Sequence, residues 1–195
     1  MFVVKLIIGC YSYIQSKTGF QAFGRGALIK YPYKVWSKEN ICIGSRVFIA
    51  ENCFLAVSTE HRGQRYRPQL SIGDDTCIGS HCFIACIDQV VIEEKVLLSD
   101  RVFISDHIHG YSDVTNPVLL QPLEPRGAVI IKSGSFIGIN TVIMPGVTIG
   151  RNAVVGASSV VIENVPDYCV AVGNPAKIIK RYDLTQQAWI SVKEN

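Results

Sequence analysis

The stretch that decides the fold is Ile131–Val161, IKSGSFIGINTVIMPGVTIGRNAVVGASSVV, in which an aliphatic residue returns at every sixth position. The same spacing occurs in three shorter runs upstream. The aliphatic positions of the four runs are Ile43, Ile49, Leu55, Ile72, Ile78, Ile84, Ile92, Leu98, Ile104, Ile131, Ile137, Ile143, Ile149, Val155 and Val161. A helix repeats every ~3.6 residues and a strand about every two, so neither produces a strict period of six.

The positions between these aliphatic residues also repeat. Glycine often follows the aliphatic residue, and the third place after it favours residues that tolerate a positive φ, such as Asn52, Asp75 and Asn140. The fourth place holds small or β-branched residues, including Cys53 and Cys82. Each six residues therefore predict a short strand, a tight turn and a small inward side chain. Three sixes would form one coil of a triangular, all-β solenoid.

The composition supports strands. The 195 residues include 24 Ile and 22 Val but only 10 Leu, a β-branched excess that argues against a helical bundle. Because charged residues make up 18% and hydrophobic residues 48%, global disorder is excluded. The net charge of +3 and the absence of a basic stripe argue against a nucleic-acid partner.

The apolar stretch Met1–Ile14 is too short for a membrane span and lacks clear signal-peptide features. We interpret it as an apolar helix or strand that packs on the domain, with loose membrane contact as the alternative. The seven cysteines show neither C-x-x-C nor zinc-like spacing. We therefore expect free, mostly buried thiols in a reducing compartment, with no disulfide framework and no metal site.

Two interruptions of the ladder predict excursions from the solenoid, and loops of this kind often carry function. Near the C-terminus, a turn at Gly173–Pro175 precedes helix-like spacing from Ala176 to about Ser191, which predicts a terminal helix. The sequence thus predicts a single domain with an N-terminal cap at 1–40, a solenoid at 41–165 interrupted at 58–71 and 105–130, and a turn and capping helix at 166–195.

Two of the four histidines lie at the root of the long excursion, in the motif Asp106-His107-Ile108-His109. Imidazole titrates near neutrality, so either histidine could act as a general base beside the Asp106 carboxylate. The alternative is a pair of surface loop histidines with no catalytic role. A zinc site that includes His81 is a remote alternative, because the spacing of His107 and His109 is too tight for it.

The hexapeptide pattern resembles that of the hexapeptide-repeat acyltransferases over about residues 41–182. The resemblance implies a left-handed parallel β-helix, whereas the general rule for crossover connections would favour the opposite hand. The stretch Val90–His109 is similar to the galactoside and maltose acetyltransferase segment that ends in the catalytic histidine, and D-H-x-H is similar to the branch that acts on surface polysaccharides. His109 would then be the general base, with His107 as a neighbour that tunes or orients it. Either Asp106 or a backbone carbonyl would orient His109.

The same resemblance implies a coenzyme site. Phe136–Gly150, FIGINTVIMPGVTIG, matches the family's W-I-G…P-G-V-x-I-G coil with Phe in place of Trp, and the backbone N–H of Ile139 would hold the thioester oxygen. Ile162 and Glu163 replace a common Thr-Lys pair, which puts the phosphate contact there in doubt. The implied coenzyme residues are Phe136, Gly138, Ile139, Ala157, Ile162, Gly173, Asn174, Pro175, Ala176, Lys177, Lys180 and Arg181.

The resemblance therefore implies a cytoplasmic homotrimer with active sites between subunits, which transfers acetyl from acetyl-CoA to a hydroxyl of a saccharide without a metal. The saccharide would be a precursor of surface polysaccharide, O-antigen or capsule. Asp88, Arg62, Arg65 and Arg67 are candidate acceptor contacts, and a lipid-linked acceptor would bring peripheral contact with the inner membrane. The alternatives are an N-acetyltransferase of a nucleotide-linked amino sugar, a zinc protein similar to γ-type carbonic anhydrases, and a scaffold without catalysis.

Overall fold

The computed structural model describes Gln15 and residues 18–192, and within them the six-residue ladder forms three parallel sheets. In each coil the chain passes through the first, second and third sheet in turn. Most strands pair in parallel with the strand one coil away, so that Ile43 lies opposite Ile72 and Ile137 opposite Val155. Side chains of one ladder therefore stack directly over one another.

Strands are numbered along the chain. The first sheet contains β1 (Ala22–Phe23), β4 (Ile41–Ile43), β9 (Gln69–Ile72), β12 (Gln89–Ile92), β17 (Val129–Ile131) and β20 (Thr148–Ile149). The second sheet contains β2 (Leu28–Ile29), β5 (Phe48–Ile49), β10 (Cys77–Ile78), β13 (Leu97–Leu98), β18 (Phe136–Ile137), β21 (Val154–Val155), β23 (Cys169–Gly173), β24 (Ala176–Asp183) and β25 (Ala188–Ser191). The third sheet contains β3 (Lys34–Trp36), β6 (Phe54–Val57), β11 (Phe83–Cys86), β14 (Phe103–Ser105), β19 (Val142–Ile143) and β22 (Val160–Val161).

The core runs along the axis of the solenoid. All fifteen ladder residues predicted from the six-residue period are buried, which confirms them as interior positions. Burial of one such side chain contributes about 1.5–3 kcal/mol. The small inward residues are buried as well, and their polar atoms find backbone partners: Thr141 Oγ1 donates to the Gly156 carbonyl at 3.2 Å, and Cys53 Sγ to that of Gly79 at 3.0 Å.

The turns between sheets have the positive φ angles that the six-residue pattern predicted. Asn52, Asp75 and Asn140 all have a positive φ near 60°. His81 has a φ of 60° at an equivalent position, so this histidine serves a turn. The tight turns let each coil close on three short strands.

The solenoid begins inside the segment that was predicted as a cap. β1, β2 and β3 pair in parallel with β4, β5 and β6, and so form a first coil. The apolar helix or strand predicted for residues 1–14 lies outside the described residues. Among the described residues no helix is long and apolar enough to span a membrane.

The predicted C-terminal helix is wrong. The chain reverses after Gly173, and β24 and β25 add antiparallel strands to the edge of the second sheet. Strand addition satisfies the open backbone edge of the last coil, which a helix could not do. Tyr182 and Trp189 pack edge to face across these strands, with ring centroids 5.3 Å apart.

Both interruptions of the ladder contain a short antiparallel ribbon. The excursion at 58–71 holds β7 (Glu60–His61) and β8 (Gln64–Arg65). The excursion at 105–130 holds β15 (His107–His109) and β16 (Leu123–Pro125), with His109 opposite Leu123. A 3-10 turn at Val118–Leu120 lies between β15 and β16, and another, Lys38–Asn40, precedes β4. The two ribbons leave the solenoid at the end of third-sheet strands.

Candidate active site

A pocket of about 620 Å³ lies where the third sheet meets the two ribbons. One wall consists of outward side chains of the third sheet, and the other consists of the ribbons, which bring three histidines into the lining. The lining residues are Trp36, Ala56, Ser58, His61, Phe83, Ala85, Phe103, Ser105, His107, Ile108, His109, Leu123, Met144 and Pro145. The structure thus places both histidines of the D-H-I-H motif in this pocket.

The Asp106 carboxylate orients His107. Asp106 directly follows β14 and is fully buried, and its Oδ1 lies 2.7 Å from Nδ1 of His107. The N–H of Asp88 donates to the same carboxylate at 2.8 Å, and the N–H of Ile87 donates at 3.1 Å. Ser105 Oγ donates to the His107 carbonyl at 2.7 Å. These bonds fix both the His107 ring and the start of β15.

The electrostatics of Asp106 follow from these contacts. Burial by itself would raise the pKa of Asp106, because it penalises the charged carboxylate. The hydrogen bonds from His107 and from the N–H groups of Asp88 and Ile87 outweigh burial and hold the pKa below its ordinary value. Asp106 is therefore an anion beside His107.

His109 has a different neighbour. Its ring meets that of His61 edge to face, with centroids 5.8 Å apart. Of the two orienting groups expected for His109, the structure assigns Asp106 to His107 instead. Burial, followed by the nearby His109 and Arg62, lowers the pKa of His61, so its imidazole is neutral at physiological pH.

Contacts between the ribbons hold His61 in place. Arg62 Nε donates to the Leu119 carbonyl at 3.0 Å. Tyr66 Oη donates to the Leu123 carbonyl at 2.9 Å and accepts from the Leu123 N–H at 3.0 Å. The two excursions therefore form one wall.

The predicted acceptor residues do not reach this pocket. Asp88 contributes a backbone N–H to Asp106, and its side chain is exposed outside the lining. Arg62 donates to the long excursion, and Arg65 and Arg67 are exposed in the excursion at 58–71. Within the part of the chain described, neither an arginine nor a carboxylate lines the pocket. The nearest carboxylate is that of Asp106, which contacts His107 from outside the lining.

The predicted coenzyme residues gather at another corner, between the second and third sheets. Val155 lies opposite Ile137 on one side and opposite Ala171 on the other, so Ile139, Ala157 and Gly173 follow in stacked coils. Gly138 is required there, because a Cβ on it would come within 2.6 Å of the Ala157 nitrogen. The structure thus brings together Phe136, Gly138, Ile139, Ala157, Gly173, Asn174 and Pro175.

The backbone N–H of Ile139 is left open at this corner. At the equivalent place in other turns, a carboxylate from the next coil accepts the N–H: Asp74 from Ser45, Asp100 from Ser80 and Asp167 from Arg151, each at 2.8 Å. The residue stacked on Ile139 is Ala157, which has no acceptor. Across the described residues the Ile139 N–H makes no hydrogen bond, so it is free to bind an oxygen of a ligand.

The remaining coenzyme residues are spread more widely. Lys177, Lys180 and Arg181 are exposed on β24, and Lys177 Nζ lies 3.7 Å from a carboxylate oxygen of Glu163. Ile162 follows β22 at the far edge of the third sheet, away from the coenzyme corner. The structure therefore places Ile162 next to the Glu163–Lys177 contact and outside the stack of Ile139, Ala157 and Gly173.

The open N–H and the histidines lie at opposite edges of the third sheet. Ile139 precedes β19, whereas His107 and His109 follow β14, and these strands are parallel neighbours. About four residues of strand at ~3.3 Å each put about 13 Å between the two edges. One chain alone does not bring both groups to the same reacting atom.

Several lining residues were not predicted from the sequence, above all His61, which lies in the excursion at 58–71. The available signal was that His61, one of only four histidines, lies within an interruption of the ladder. Among the described residues, no group of three or more His, Cys, Asp and Glu side chains is arranged to hold a metal ion.

Comparisons with known proteins agree with this architecture. Residues 128–163 match the family of bacterial transferase hexapeptide repeats. WbbJ of Escherichia coli K12, named for lipopolysaccharide biosynthesis O-acetyl transfer, is 34% identical over 129 residues, which cover 63% of this chain and 66% of that protein.

Two solved structures are similar as well. A variant of AntD, an N-acyltransferase from Bacillus cereus in complex with dTDP and coenzyme A, has a TM-score of 0.74 and 26% identity over 87% of this chain and 88% of its own. A maltose O-acetyltransferase from Clostridium difficile shares the fold, with a TM-score of 0.57 and 22% identity over 92% and 86% of the two chains. The chain matches 66% or less of the length of the curated relatives that it resembles. It is similar to the hexapeptide-repeat transferases and has their left-handed parallel β-helix fold.

Proposed function

We propose that this protein is an acetyl-CoA-dependent O-acetyltransferase that acts on a saccharide hydroxyl, in a precursor of a surface polysaccharide, O-antigen or capsule. The observation that carries this proposal is that one chain similar to WbbJ contains both a histidine pocket and an open backbone N–H. The first can remove a proton from an alcohol, and the second can hold the developing charge of a thioester oxygen.

In the proposed reaction, His109 takes the proton of the acceptor hydroxyl as its oxygen attacks the thioester carbonyl carbon. The N–H of Ile139 donates to the oxyanion of the tetrahedral intermediate. The carbon–sulfur bond then breaks, His109 returns the proton to the thiolate, and the products are an acetyl ester and free CoA. The Asp106–His107 pair fixes the start of β15 and so positions His109.

A second copy of the chain is part of this proposal. Because the two reacting corners lie at opposite edges of the third sheet, the coenzyme corner of one subunit would serve the histidine pocket of its neighbour. A homotrimer closes such head-to-tail contacts into a ring. We place the enzyme in the cytoplasm, where acetyl-CoA is available, with contact at the inner membrane if the acceptor is lipid-linked.

The second candidate is N-acyl transfer to a nucleotide-linked amino sugar. The similarity to AntD in complex with dTDP and coenzyme A favours it. Both candidates would use the same histidine pocket and the same donor, and they differ in the acceptor atom.

The experiment is to incubate the purified protein with acetyl-CoA and a panel of sugars and amino sugars, and to weigh the acetylated product before and after mild alkali. Our proposal expects a product that loses its acetyl group in alkali, because esters are cleaved and amides persist. A product that keeps the group would favour the second candidate.

A further inference from the structure

One wall of the histidine pocket is part of an aromatic stack on the outer face of the third sheet. The rings of Trp36, Phe54, Phe83 and Phe103 follow one another through four coils, with successive centroids 4.8, 5.0 and 5.6 Å apart. Phe83 and Phe103 lie nearly parallel, at 10°, and line the pocket together with Trp36. Phe83 and Phe103 therefore offer a continuous apolar surface opposite the ribbons.

The opposite wall offers an unused polar atom. The buried side-chain nitrogen and oxygen atoms of the described residues include one without a partner, Nε2 of His61. A buried polar atom without a hydrogen-bond partner destabilises the protein unless a ligand or solvent supplies that bond. His61 lies beside His109, so a group bound to its Nε2 would also be close to the proposed general base.

The charge of the pocket narrows the chemistry of its ligand. Trp36, Phe83, Phe103, Ile108, Leu123 and Met144 supply apolar surface, while the polar groups of the lining belong to histidines and serines. Lys34 lies over the Trp36 and Phe54 rings at 4.8 and 4.5 Å, outside the lining. Since no Lys, Arg, Asp or Glu of the described residues lines the pocket, only its histidines could neutralise a charged ligand.

We propose that this pocket binds a neutral pyranose ring of the acceptor between the aromatic stack and the histidine pair, which deepens and rests on the function proposed above. The C–H face of the sugar lies against Phe83 and Phe103. One hydroxyl donates to Nε2 of the neutral His61, and the neighbouring hydroxyl faces His109. His61 is thus an acceptor-binding residue, and uronic acids and nucleotide sugars are disfavoured. The volume fits, since small-ligand pockets span roughly 300–1,000 Å³.

Steady-state kinetics with acetyl-CoA and methyl glycosides test this assignment. We expect neutral methyl hexosides and 6-deoxyhexosides to be acetylated, and methyl glucuronide and UDP-glucose to be used at least tenfold less well. His61→Gln and Phe103→Leu should each raise KM for the neutral glycoside about tenfold, because each removes one contact to the sugar. KM for acetyl-CoA should stay unchanged, since neither residue lies at the coenzyme corner.

The matched control is Phe48→Leu, which removes an exposed aromatic ring from the second sheet and should change none of these constants. Preferred use of the charged acceptors, or an unchanged acceptor KM in both pocket variants, would overturn the assignment. A rise in the KM for acetyl-CoA in His61→Gln would also contradict it.

A binding measurement separates this inference from the proposed function. The sequence holds two tryptophans, Trp36 and Trp189, so Trp189→Phe leaves Trp36 as the single fluorescent reporter in the pocket. Neutral methyl glycosides should quench Trp36 whether or not acetyl transfer occurs, and His61→Gln should weaken that quenching about tenfold. Quenching of Trp36 fluorescence without any CoA release would contradict only the proposed function. Acetyl transfer to sugars that do not quench Trp36 would sink only the pocket assignment.

Discussion

Residues 131–161 and the excursion at 105–130 follow different rules, although they are adjacent in the chain. In the first stretch every sixth side chain is buried in the solenoid and the backbone repeats coil after coil. The excursion leaves Val114 94% exposed and Leu119 69% exposed, and it is held by a few contacts to the other ribbon. Regular coils thus supply stability and the coenzyme corner, while irregular ribbons supply the histidine pocket.

The largest effect is expected at the root of the irregular region, where His109 lies. His109→Ala should lower the acetylation rate by roughly 10²–10⁴-fold, because it removes the proposed general base. Release of CoA thiol in the presence of acceptor measures it. His81→Ala is the control, since that histidine occupies a turn of the regular coils. Near-normal turnover of His109→Ala, with loss in His107→Ala, would transfer the base role to His107.

The next effect concerns the Ile139 turn, where Ala157 stands in place of the carboxylate that accepts the N–H in other turns. Ala157→Asp should accept the Ile139 N–H as Asp100 accepts that of Ser80, and so lower kcat roughly 10²–10³-fold. Asp74→Ala makes the opposite change at Ser45 and should leave kcat unaltered. A folded Ala157→Asp variant with normal kcat would show that this N–H has no role in catalysis.

Substitutions in the regular coils should lower the free energy of unfolding more than substitutions in the excursion. Ile137→Ala in the ladder should lower the free energy of unfolding by about 2–5 kcal/mol, because it leaves a cavity between stacked coils. Leu119→Ala in the excursion should change it by less than about 0.5 kcal/mol. Urea unfolding followed by circular dichroism compares the two variants, and equal losses would contradict the distinction between coils and ribbons.

The smallest effect is a pH dependence at the junction of the two regions. The pKa of Asp106 is lower in the folded protein than its ordinary value of about 3.9, so the carboxylate form stabilises the fold. This contribution is fully present above that value and is lost as pH falls through the lower folded value. Urea unfolding at pH 6 and pH 3 should therefore show a smaller loss on acidification in Asp106→Asn than in the natural protein. An identical loss in both would refute this account of Asp106.

The sequence was sufficient for the parts that repeat. A period of six located the ladder, and residues such as Asn52 and Asn140 located the turns, because local backbone geometry decides both. The C-terminal strands were not predicted, since the spacing of Ile178, Ile179 and Tyr182 suits a helix. Only the open sheet edge makes strands preferable there.

The histidine pocket was predicted in part. D-H-I-H pointed to His107 and His109, but nothing local shows that His61 joins them. That contact depends on bonds between ribbons far apart in sequence, such as Tyr66 to Leu123. The group that orients His109 was left open for a similar reason: the geometry of β15 brings Asp106 to His107.

The most direct test of the account is complementation between two inactive variants. We propose that the histidine pocket of one chain works with the Ile139 corner of another, so His109→Ala and Ala157→Asp damage different halves of one shared site. Co-expressed with different tags and purified as mixed trimers, they should recover roughly one third of the natural CoA-release rate, because one of the three interfaces in each mixed trimer combines two intact halves. Mixed assemblies as inactive as either variant alone would contradict a site shared between chains.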